Sequence, residues 1–266
     1  MTSLAATLAG DHNNQDRYVV GDGFTAVLDG ATSVAGDRSH DPGWFAGRLG
    51  EVLARLLPGG APIPDVVAAA IEEVRDTDRL VPESSPTCTV AVARWTTKTV
   101  ETYVLCDSVV VLLHGDGSET VHSDDELGAA LTEKRQEYRA RLAAGHGYDA
   151  GHRELLIELQ REQARWRNRP GGYYVAGTDP VAAYHGVVST TDRAQVSGLV
   201  LATDGVDPDR HPRADTWRGV YTEALELGPD RVLHDLHVAE DSDPDGRRWV
   251  RSKRHDDKTL VVVPLG

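Results

Sequence analysis

The sequence is poor in cysteine and has no long apolar run, and each shortage narrows what the protein can be. Only two of its 266 residues are cysteines, too few for the disulfide scaffold of a small secreted domain, so Cys88 and Cys106 are predicted to be buried free thiols. No uncharged apolar run approaches the ~18 residues that a membrane helix needs. The segment from Met1 to Gly10 lacks the basic start and apolar core of a signal peptide, which predicts a cytoplasmic protein.

The chain is also short of positive charge. Its 28 lysines and arginines face 42 aspartates and glutamates, which gives a formal net charge of −14. A surface of that sign repels nucleic acid and anionic membranes at long range, so we expect neither as a partner. With 40% hydrophobic and 26% charged residues, the composition is that of a folded globular protein. The length favours a single domain over residues 1–266, with room for an insertion.

Hydrophobic patterning divides the chain into blocks of strands and blocks of helices. A short apolar run at 25–28 predicts a buried strand that ends at Asp29-Gly30. Helical spacing of apolar residues follows Asp41-Pro42 and again Asp65, which predicts two capped amphipathic helices. β-branched runs between 87 and 113 predict an antiparallel meander. Further strands are predicted at 173–175, 185–189, 198–203 and 259–263.

The remaining blocks are helical. The segment 123–169 is dense in glutamate and arginine with leucines at helical intervals, which predicts a charged helical hairpin added to the sheet. Two more helices are predicted through 217–225 and 232–236. Because strands and helices come in blocks and do not alternate strictly, the pattern favours an α+β layered fold, with sheets covered by helix pairs, over a doubly wound parallel sheet.

The feature that points to chemistry is a set of strand ends at aspartate. The residues concerned are Asp29, Asp107, Asp204 and Asp256. If these strand ends converge, the carboxylates would face one another with no local lysine to neutralise them, at a cost of several kcal/mol unless cations occupied the cluster. Mg²⁺ and Mn²⁺ suit such a site because they take oxygen ligands. Any one Asp-Gly pair is also explained as a common turn, so only the set indicates metal.

Five short segments carry a resemblance to a known family. They are, in order, Asn14-Gln15-Asp16-Arg17, Ala26-Val27-Leu28-Asp29-Gly30, Leu105-Cys106-Asp107-Ser108, Leu199-Val200-Leu201-Ala202-Thr203-Asp204-Gly205 and Asp256-Asp257-Lys258-Thr259-Leu260-Val261-Val262-Val263. Together they resemble the metal-dependent protein phosphatases of the PP2C (PPM) family, in a divergent bacterial form. The resemblance implies a four-layer αββα sandwich, in which two stacked antiparallel sheets are flanked by helix pairs.

The resemblance also implies a site. It assigns Asp29 and Asp204 as catalytic metal ligands, with Asp29 bridging two Mg²⁺ or Mn²⁺ ions. Gly30 would contribute its carbonyl, Asp256 would complete one metal site, and Asp107 would hold a third, weaker ion. Asp16 would hold a water that is bound to metal. A water shared by the ions would then attack phosphorus in line, so the implied reaction is hydrolysis of a phosphomonoester.

Three positions depart from the family's pattern. Where the family has an arginine that holds the substrate phosphate, this sequence has Asp11, and the usual glutamate of the same motif is Gln15, a weaker metal ligand. Ala31 stands where some eukaryotic members have a histidine as general acid. His12, His40 or a water on a metal could take over the proton transfer, although a loop histidine is more often simply solvated.

The segment 123–169 lies between the Asp107 and Asp204 motifs, roughly where related bacterial phosphatases carry a variable flap beside the active site. It is either such a flap or a solvated helix pair held by surface ion pairs. Several of its arginines could supply the missing phosphate contact: Arg161, Arg165, Arg167 and Arg169. The acidic run 241–245 is interpreted as a solvent loop.

Two classes of function therefore stay open. The first is an active phosphatase that acts on phosphoserine or phosphothreonine in proteins, or on a small phosphorylated metabolite. The second is a pseudophosphatase that keeps the fold but serves as a regulatory or binding module, which Gln15 and the missing arginine would explain. The retained aspartates favour activity, because a pure scaffold has no physical need to tolerate a cluster of like charges.

Overall fold

The elements of the fold are taken from a computed structural model that describes residues 2–11, 13–31, 41–82 and 84–266. The strands are β1 (Leu4–Leu8), β2 (Arg17–Gly21), β3 (Phe24–Leu28), β4 (Gly30–Ala31), β5 (Thr87–Cys88), β6 (Val90–Trp95), β7 (Thr99–Leu105), β8 (Val109–His114), β9 (Glu119–His122), β10 (Val187–Asp192), β11 (Val196–Ala202) and β12 (Lys258–Pro264). The helices are α1 (Pro42–Leu56), α2 (Ile63–Asp78), α3 (Glu126–Ala130), α4 (Thr132–Ala143), α5 (Ala150–Trp166), α6 (Trp217–Leu227) and α7 (Pro229–Asp241).

Two antiparallel five-stranded sheets form the middle of the protein. One has the strand order β1-β12-β11-β8-β9 and the other β10-β7-β6-β3-β2. Their facing sides share one apolar cluster, to which β3 contributes Val27 and β12 contributes Val261. Alternate residues of β3, Ala26 and Leu28, point to the opposite face, where they pack with α1 and α2. Because both faces are covered, the strand is a continuous apolar run without polar alternation.

Helix pairs cover the outer faces of the sheets. α1 and α2 pack on the sheet that contains β3, and α6 and α7 pack on the sheet that contains β12. α1 begins as predicted, because the Asp41 carboxylate accepts a hydrogen bond from the Trp44 N–H at 2.8 Å. α2 begins earlier than predicted: Pro62 precedes its first residue and Asp65 lies inside the first turn, where its charge favours the helix dipole. The predicted α+β sandwich with its αββα layers is confirmed.

The sequence interpretation was wrong or incomplete for three strands. β1 pairs with β12 at the edge of its sheet and was not predicted. Residues 173–175 do not form a strand; Tyr173 and Ala176 make only isolated bridges, to Arg167 and Cys88. The predicted strand at 185–189 lies two residues later, at β10. Both cysteines are buried free thiols, as predicted.

Residues 123–169 contain α3, α4 and α5. The helices share a small apolar cluster of their own, which includes Leu142 and Leu159 and reaches the body of the protein at Cys106 and Tyr173. Most other side chains of α4 and α5 are polar and at least partly exposed. The segment therefore packs beside the end of β7 and also against the loop that precedes β12. Within the described residues, no helix is both long and apolar enough to span a bilayer.

Candidate active site

The acidic strand ends meet in one cavity of about 420 Å³. Asp29, Asp107, Asp204 and Asp256 all line it, together with Gly30. Asp29 follows β3 and Asp107 follows β7, which belong to one sheet, whereas Asp204 follows β11 and Asp256 precedes β12 in the other. The cavity thus lies at the edge where the ends of both sheets meet, and the fold brings together residues that are up to 227 positions apart, from 29 to 256.

A close backbone approach constrains the turn after Asp204, and an unusual backbone conformation constrains the turn before Asp107. A Cβ on Gly205 would lie 1.9 Å from the Asp257 carbonyl oxygen, so only glycine lets the turn after Asp204 pass the segment before β12. Cys106, directly before Asp107, has φ +71°, a left-handed conformation that is uncommon for a residue with a side chain. Its N–H donates to the buried Asp124 carboxylate at 3.0 Å. Such a constrained residue at the end of a strand sets the direction of the aspartate that follows.

At the aspartate cluster, burial and mutual repulsion outweigh the attraction of nearby cations. Desolvation by the cavity walls, followed by repulsion from Asp256, raises the pKa of Asp204 to about 8. Desolvation, followed by the charges of Asp16 and Asp204, holds the pKa of Asp29 well above its usual range. Burial also raises the pKa of Asp107, against the opposite pull of Arg135. Carboxylates that resist ionisation in this way bind a proton or a cation readily.

Asp16 lies behind the cavity and is buried. Its Oδ2 accepts a hydrogen bond from the Thr203 hydroxyl at 2.7 Å, whereas its Oδ1 is buried with no hydrogen-bond partner among the described residues. Burial, with a smaller contribution from the charge of Asp257, outweighs the hydrogen bonds that lower the pKa of this carboxyl and raises it to about 7. A buried acceptor without a donor is costly, so this oxygen fits a site that receives a further ligand.

Lys253 contradicts the expectation that no lysine would neutralise the cluster. Its Nζ lies 2.6 Å from Asp256 Oδ1, at the cavity wall. Burial lowers the pKa of this ammonium, but the charges of Asp256 and Asp29 outweigh burial and hold its pKa above the usual value. One ammonium cannot balance the aspartates that line the cavity, and the pKa values of Asp29 and Asp204 stay raised in its presence.

A second acidic cluster lies behind Asp256 and was missed in the sequence. Glu240 of α7 is fully buried and bonds Lys258 Nζ at 2.7 Å, Arg210 at 2.8 Å and His255 at 3.1 Å. Arg210 in turn donates to the carbonyls of Asp204 and Gly205. This network therefore anchors the Asp204 turn and the segment before β12. The available signal was a glutamate at an apolar position of α7, four residues after Leu236.

Ligand-type side chains also meet in that cluster, since His237, Glu240 and His255 place one ligand atom each within 4.8 Å of one another. However, Glu240 already binds an ammonium and a guanidinium, and His255 Nε2 lies 3.2 Å from Asp241. A metal ion there would have to displace buried protein cations. The arrangement fits a structural ion-pair network better than a metal centre.

The acidic run 241–245 is not simply a solvent loop, which corrects the sequence interpretation. Asp243 is buried and accepts hydrogen bonds from the N–H groups of Arg247, Arg248 and Trp249. It also pairs with the Arg251 guanidinium at 3.0 Å. These bonds hold the loop that carries residues 249–253 into the cavity wall.

Helices α4 and α5 form another wall of the cavity. Of the arginines singled out in the sequence, Arg167 lines the cavity, whereas Arg161, Arg165 and Arg169 are not among its lining residues. Two arginines that were not singled out, Arg135 and Arg139, lie one turn apart on α4 and also line it. The Arg135 guanidinium is 3.9 Å from Asp107 Oδ2.

Of the three positions that depart from the family's pattern, two lie away from the cavity. Asp11 Oδ2 accepts the His255 N–H at 3.3 Å, and the Gln15 N–H donates to Asp257 Oδ2 at 2.7 Å. Neither residue is among those that line the cavity, whereas Ala31 is. His12 and His40, the two histidines considered for proton transfer, fall outside the part of the chain that the structure describes.

The donor set suits a hard divalent ion. The cavity offers several carboxylates, and Gly30 lines it with a backbone that approaches its neighbours closely, since a Cβ there would lie 2.8 Å from the Pro42 carbonyl carbon. Oxygen ligands without imidazole are those of Mg²⁺ and Mn²⁺, while zinc sites usually include nitrogen or sulfur. The raised pKa values and the partnerless Asp16 Oδ1 are consistent with that fit.

Comparison with known proteins gives matches in structure but not in sequence. No protein-family model and no curated protein sequence matches this chain. The serine/threonine phosphatase Stp1 from Staphylococcus aureus matches with a TM-score of 0.57 at 13% identity, over 98% of this chain and 94% of that one. The PPM Ser-Thr phosphatase MsPP from Mycobacterium smegmatis, in complex with cacodylate, has a TM-score of 0.55 at 18% identity, over 100% of this chain and 99% of that one.

The catalytic domain of the serine/threonine phosphatase PstP, in complex with 2 manganese ions, matches with a TM-score of 0.52 at 16% identity, over 98% of this chain and 96% of that one. At such identities the likeness establishes the fold. This chain has the fold of the bacterial PPM (PP2C) phosphatases over nearly its whole length, and the resemblance seen in the sequence is confirmed at that level.

Proposed function

We propose that this protein is a metal-dependent phosphomonoester hydrolase that removes phosphate from phosphoserine or phosphothreonine in proteins. The observation that carries the proposal is the convergence of Asp29, Asp107, Asp204 and Asp256 on one cavity. On a PPM fold this is a set of oxygen ligands, and the pKa values of Asp29 and Asp204 stay raised although protein cations also line the cavity. A site that is costly in charge and lies in a cavity is a functional candidate on physical grounds.

Asp29, the Gly30 carbonyl, Asp204 and Asp256 would hold two Mg²⁺ or Mn²⁺ ions, with Asp107 available to a third. The PstP neighbour contains 2 manganese ions, which supports this choice of metal. Bound divalent ions supply Lewis-acid stabilisation of the phosphoryl oxygens and make a water acidic enough to attack near neutral pH. The proposal therefore requires no side chain as nucleophile.

The protein's own residues would position the reaction. Asp16 Oδ1, which lacks a donor among the described residues, would accept a hydrogen bond from a cavity water, and Thr203 holds the other oxygen in place. Divalent ions bound nearby would favour the ionised form of Asp16, which is the form that accepts such a hydrogen bond. Arg210 would keep Asp204 in register through its bonds to the carbonyls of Asp204 and Gly205.

Residues 123–169 would act as a flap that controls which phosphate esters enter. α4 and α5 place Arg135, Arg139 and Arg167 on the cavity wall, where they could bind the substrate phosphate in place of the arginine that Asp11 replaces. We include the flap in a single domain that spans 1–266. The names of the solved neighbours support a phosphoprotein as the substrate; a small phosphorylated metabolite is the alternative within the same chemistry. The cytoplasmic location stays a prediction from the sequence.

The test is hydrolysis of an aryl phosphate with added Mn²⁺. We expect turnover that EDTA abolishes and that the Asp204→Ala variant lacks, with the Asp22→Ala variant, in the exposed turn between β2 and β3, as the matched control. Comparing phosphopeptides with small phosphate esters then separates the substrate classes. Turnover that persists in EDTA would contradict the metal-dependent mechanism.

A pseudophosphatase is the second candidate, because Gln15 and Asp11 replace two residues of the family's pattern and neither lines the cavity. It predicts no turnover with Mg²⁺ or Mn²⁺ on aryl phosphate and phosphopeptides alike. A phosphopeptide that binds without being hydrolysed would favour this candidate. Binding can be followed by fluorescence anisotropy, and together with the activity measurement it distinguishes the two candidates.

A further inference from the structure

Two lysines flank the proposed metal ligand Asp256 and are held very differently. Lys258 is fully buried, and its ammonium donates to Glu240 at 2.7 Å and to the Asp256 carbonyl at 2.8 Å. Lys253 has a side chain that is 50% exposed, and among the described residues its ammonium bonds only Asp256 Oδ1, at 2.6 Å. Lys258 is therefore held inside the protein by two bonds. Lys253 is accessible to water, which can replace its hydrogen bond to Asp256.

Lys253 occupies one of the two carboxylate oxygens that Asp256 could offer to a metal ion. The same Oδ1 also accepts the Asp257 N–H at 3.0 Å. A divalent ion bound by Asp29, Asp204 and Asp256 would lie close to this ammonium, and like charges at such distances repel strongly in a partly desolvated cavity. The ammonium and the ion cannot both neutralise the same carboxylate oxygen.

We propose that Lys253 is a tethered cation that competes with divalent ions for Asp256, so that ion binding displaces its ammonium from the cluster. The inference rests on the metal site proposed above. Its role is that of a positioning residue: it neutralises Asp256 until an ion arrives and thereby weakens the affinity of the site for metal. A flexible four-carbon stem and a half-exposed position allow the displaced ammonium to move into water.

The proposal predicts opposite effects of one substitution on two properties. Lys253→Met keeps the length of the side chain and removes its charge. Without added metal the variant should melt at a lower temperature than the wild type, because the aspartates lose their nearest cation. With metal it should bind the ion more tightly, by roughly tenfold, because a neighbouring charge within a few ångströms shifts such equilibria by about one to three powers of ten.

The affinity is measured by isothermal titration calorimetry with Mn²⁺ at pH 8, where protons compete little with the ion. Lys98→Met is the matched control, since Lys98 is an exposed lysine in the turn between β6 and β7. It should leave both the melting temperature and the Mn²⁺ dissociation constant unchanged. A lysine with a merely structural role would lower the melting temperature without tightening the affinity.

A second measurement uses the unaltered protein. Limited acetylation with acetic anhydride, followed by mass spectrometry, reports how accessible each amine is. Lys253 should react slowly relative to Lys98 in EDTA, and several-fold faster after Mg²⁺ is added, because its amine is released from Asp256.

The proposal is overturned if Lys253→Met binds Mn²⁺ no more tightly than the wild type, or if Mg²⁺ leaves the acetylation of Lys253 unchanged or lowers it. If the wild type binds Mn²⁺ and hydrolyses aryl phosphate in either case, the proposed function stands and only this inference falls. If neither wild type nor Lys253→Met binds Mn²⁺, the metal-dependent function falls together with it.

Discussion

The molecule contains two neighbouring acidic clusters, and they differ in how their charge is balanced. Glu240 and Asp243 are buried and each meets protein cations, namely Lys258 and Arg210 for the first and Arg251 for the second. The cluster of Asp29, Asp107, Asp204 and Asp256 faces a cavity and meets one half-exposed lysine and, at 3.9 Å, one arginine.

The pKa values register this difference. Hydrogen bonds from N–H groups and from Arg251 outweigh burial at Asp243 and lower its pKa, whereas desolvation raises the pKa of Asp29 and Asp204. The carboxylates of the first cluster are paired with protein cations and have a structural role, so removing one should lower the stability of the fold. The carboxylates of the second cluster repel one another, so removing one should lower activity without lowering stability.

The largest expected effect is on activity, from Asp29→Asn. An amide of the same shape keeps the packing but removes a charged metal ligand, so kcat for aryl phosphate with Mn²⁺ should fall by roughly 10³-fold or more. The melting temperature in EDTA should stay the same or rise, because repulsion with Asp16 and Asp204 is lost. Steady-state kinetics and differential scanning calorimetry on the same preparation check both. A variant that melts lower and keeps its activity would reverse the comparison between the clusters.

The same substitution in the balanced cluster, Glu240→Gln, should act on stability. It leaves Lys258 and Arg210 buried without their carboxylate, and breaking a buried pair on one side costs about 3–5 kcal/mol. The melting temperature should fall by about 10 °C. In the double variant Glu240→Gln, Lys258→Met the loss should be smaller than the sum of the single losses, because both charges of one pair are gone. Strictly additive losses would show that the pair is not coupled.

The cluster that faces the cavity could be predicted from the sequence, whereas the cluster around Glu240 could not, for a physical reason. Asp29 and Asp204 are directly followed by glycine at the ends of apolar runs, a local pattern that the backbone turn requires. Their convergence depends on how the two sheets stack face to face, which spacing alone does not give. The sandwich was predictable because both faces of its strands are covered and their apolar runs are continuous.

The partners of the balanced cluster come from three separate segments. Arg210 follows β11, Glu240 lies on α7 and Lys258 begins β12, and no local pattern links them. Lys253 was overlooked although it stands three residues before Asp256, because a lysine in a polar stretch is normally solvated. β1 was missed because its pattern of intermediate burial at a sheet edge gives neither a clear alternation nor an apolar run.

A smaller effect is expected from pH in the absence of metal. The folded-state pKa values of Asp16, about 7, and of Asp204, about 8, lie above the ordinary value of 3.8, so the folded protein holds protons that the unfolded chain has lost. Stability should therefore fall as the pH rises from 7 to 8.5. Melting temperatures in EDTA across this range measure the slope, and Asp204→Asn should reduce it.

Two histidines with shifted pKa values should not contribute to the change in stability between pH 7 and 8.5. Burial lowers the pKa of His211 and His237 below the ordinary value of 6.5, so they alter stability only at lower pH and in the opposite direction. Added Mg²⁺ should reverse the slope, because a bound ion stabilises the folded state most where protons compete least. A metal-free melting temperature that does not fall between pH 7 and 8.5 would show that the cavity carboxylates are already ionised.

The smallest effect is expected from Arg135→Ala, on the flap side of the cavity. If the flap supplies the phosphate contact that Asp11 cannot, KM for a phosphopeptide should rise by roughly tenfold with kcat little changed, as for a contact made equally in the ground state and the transition state. Arg135→Lys should recover part of the loss. Arg165→Ala on α5, outside the cavity lining, is the matched control and should change neither constant. Because Arg135 also lies 3.9 Å from Asp107, a loss of kcat in place of KM would assign it to the acidic cluster and not to the substrate.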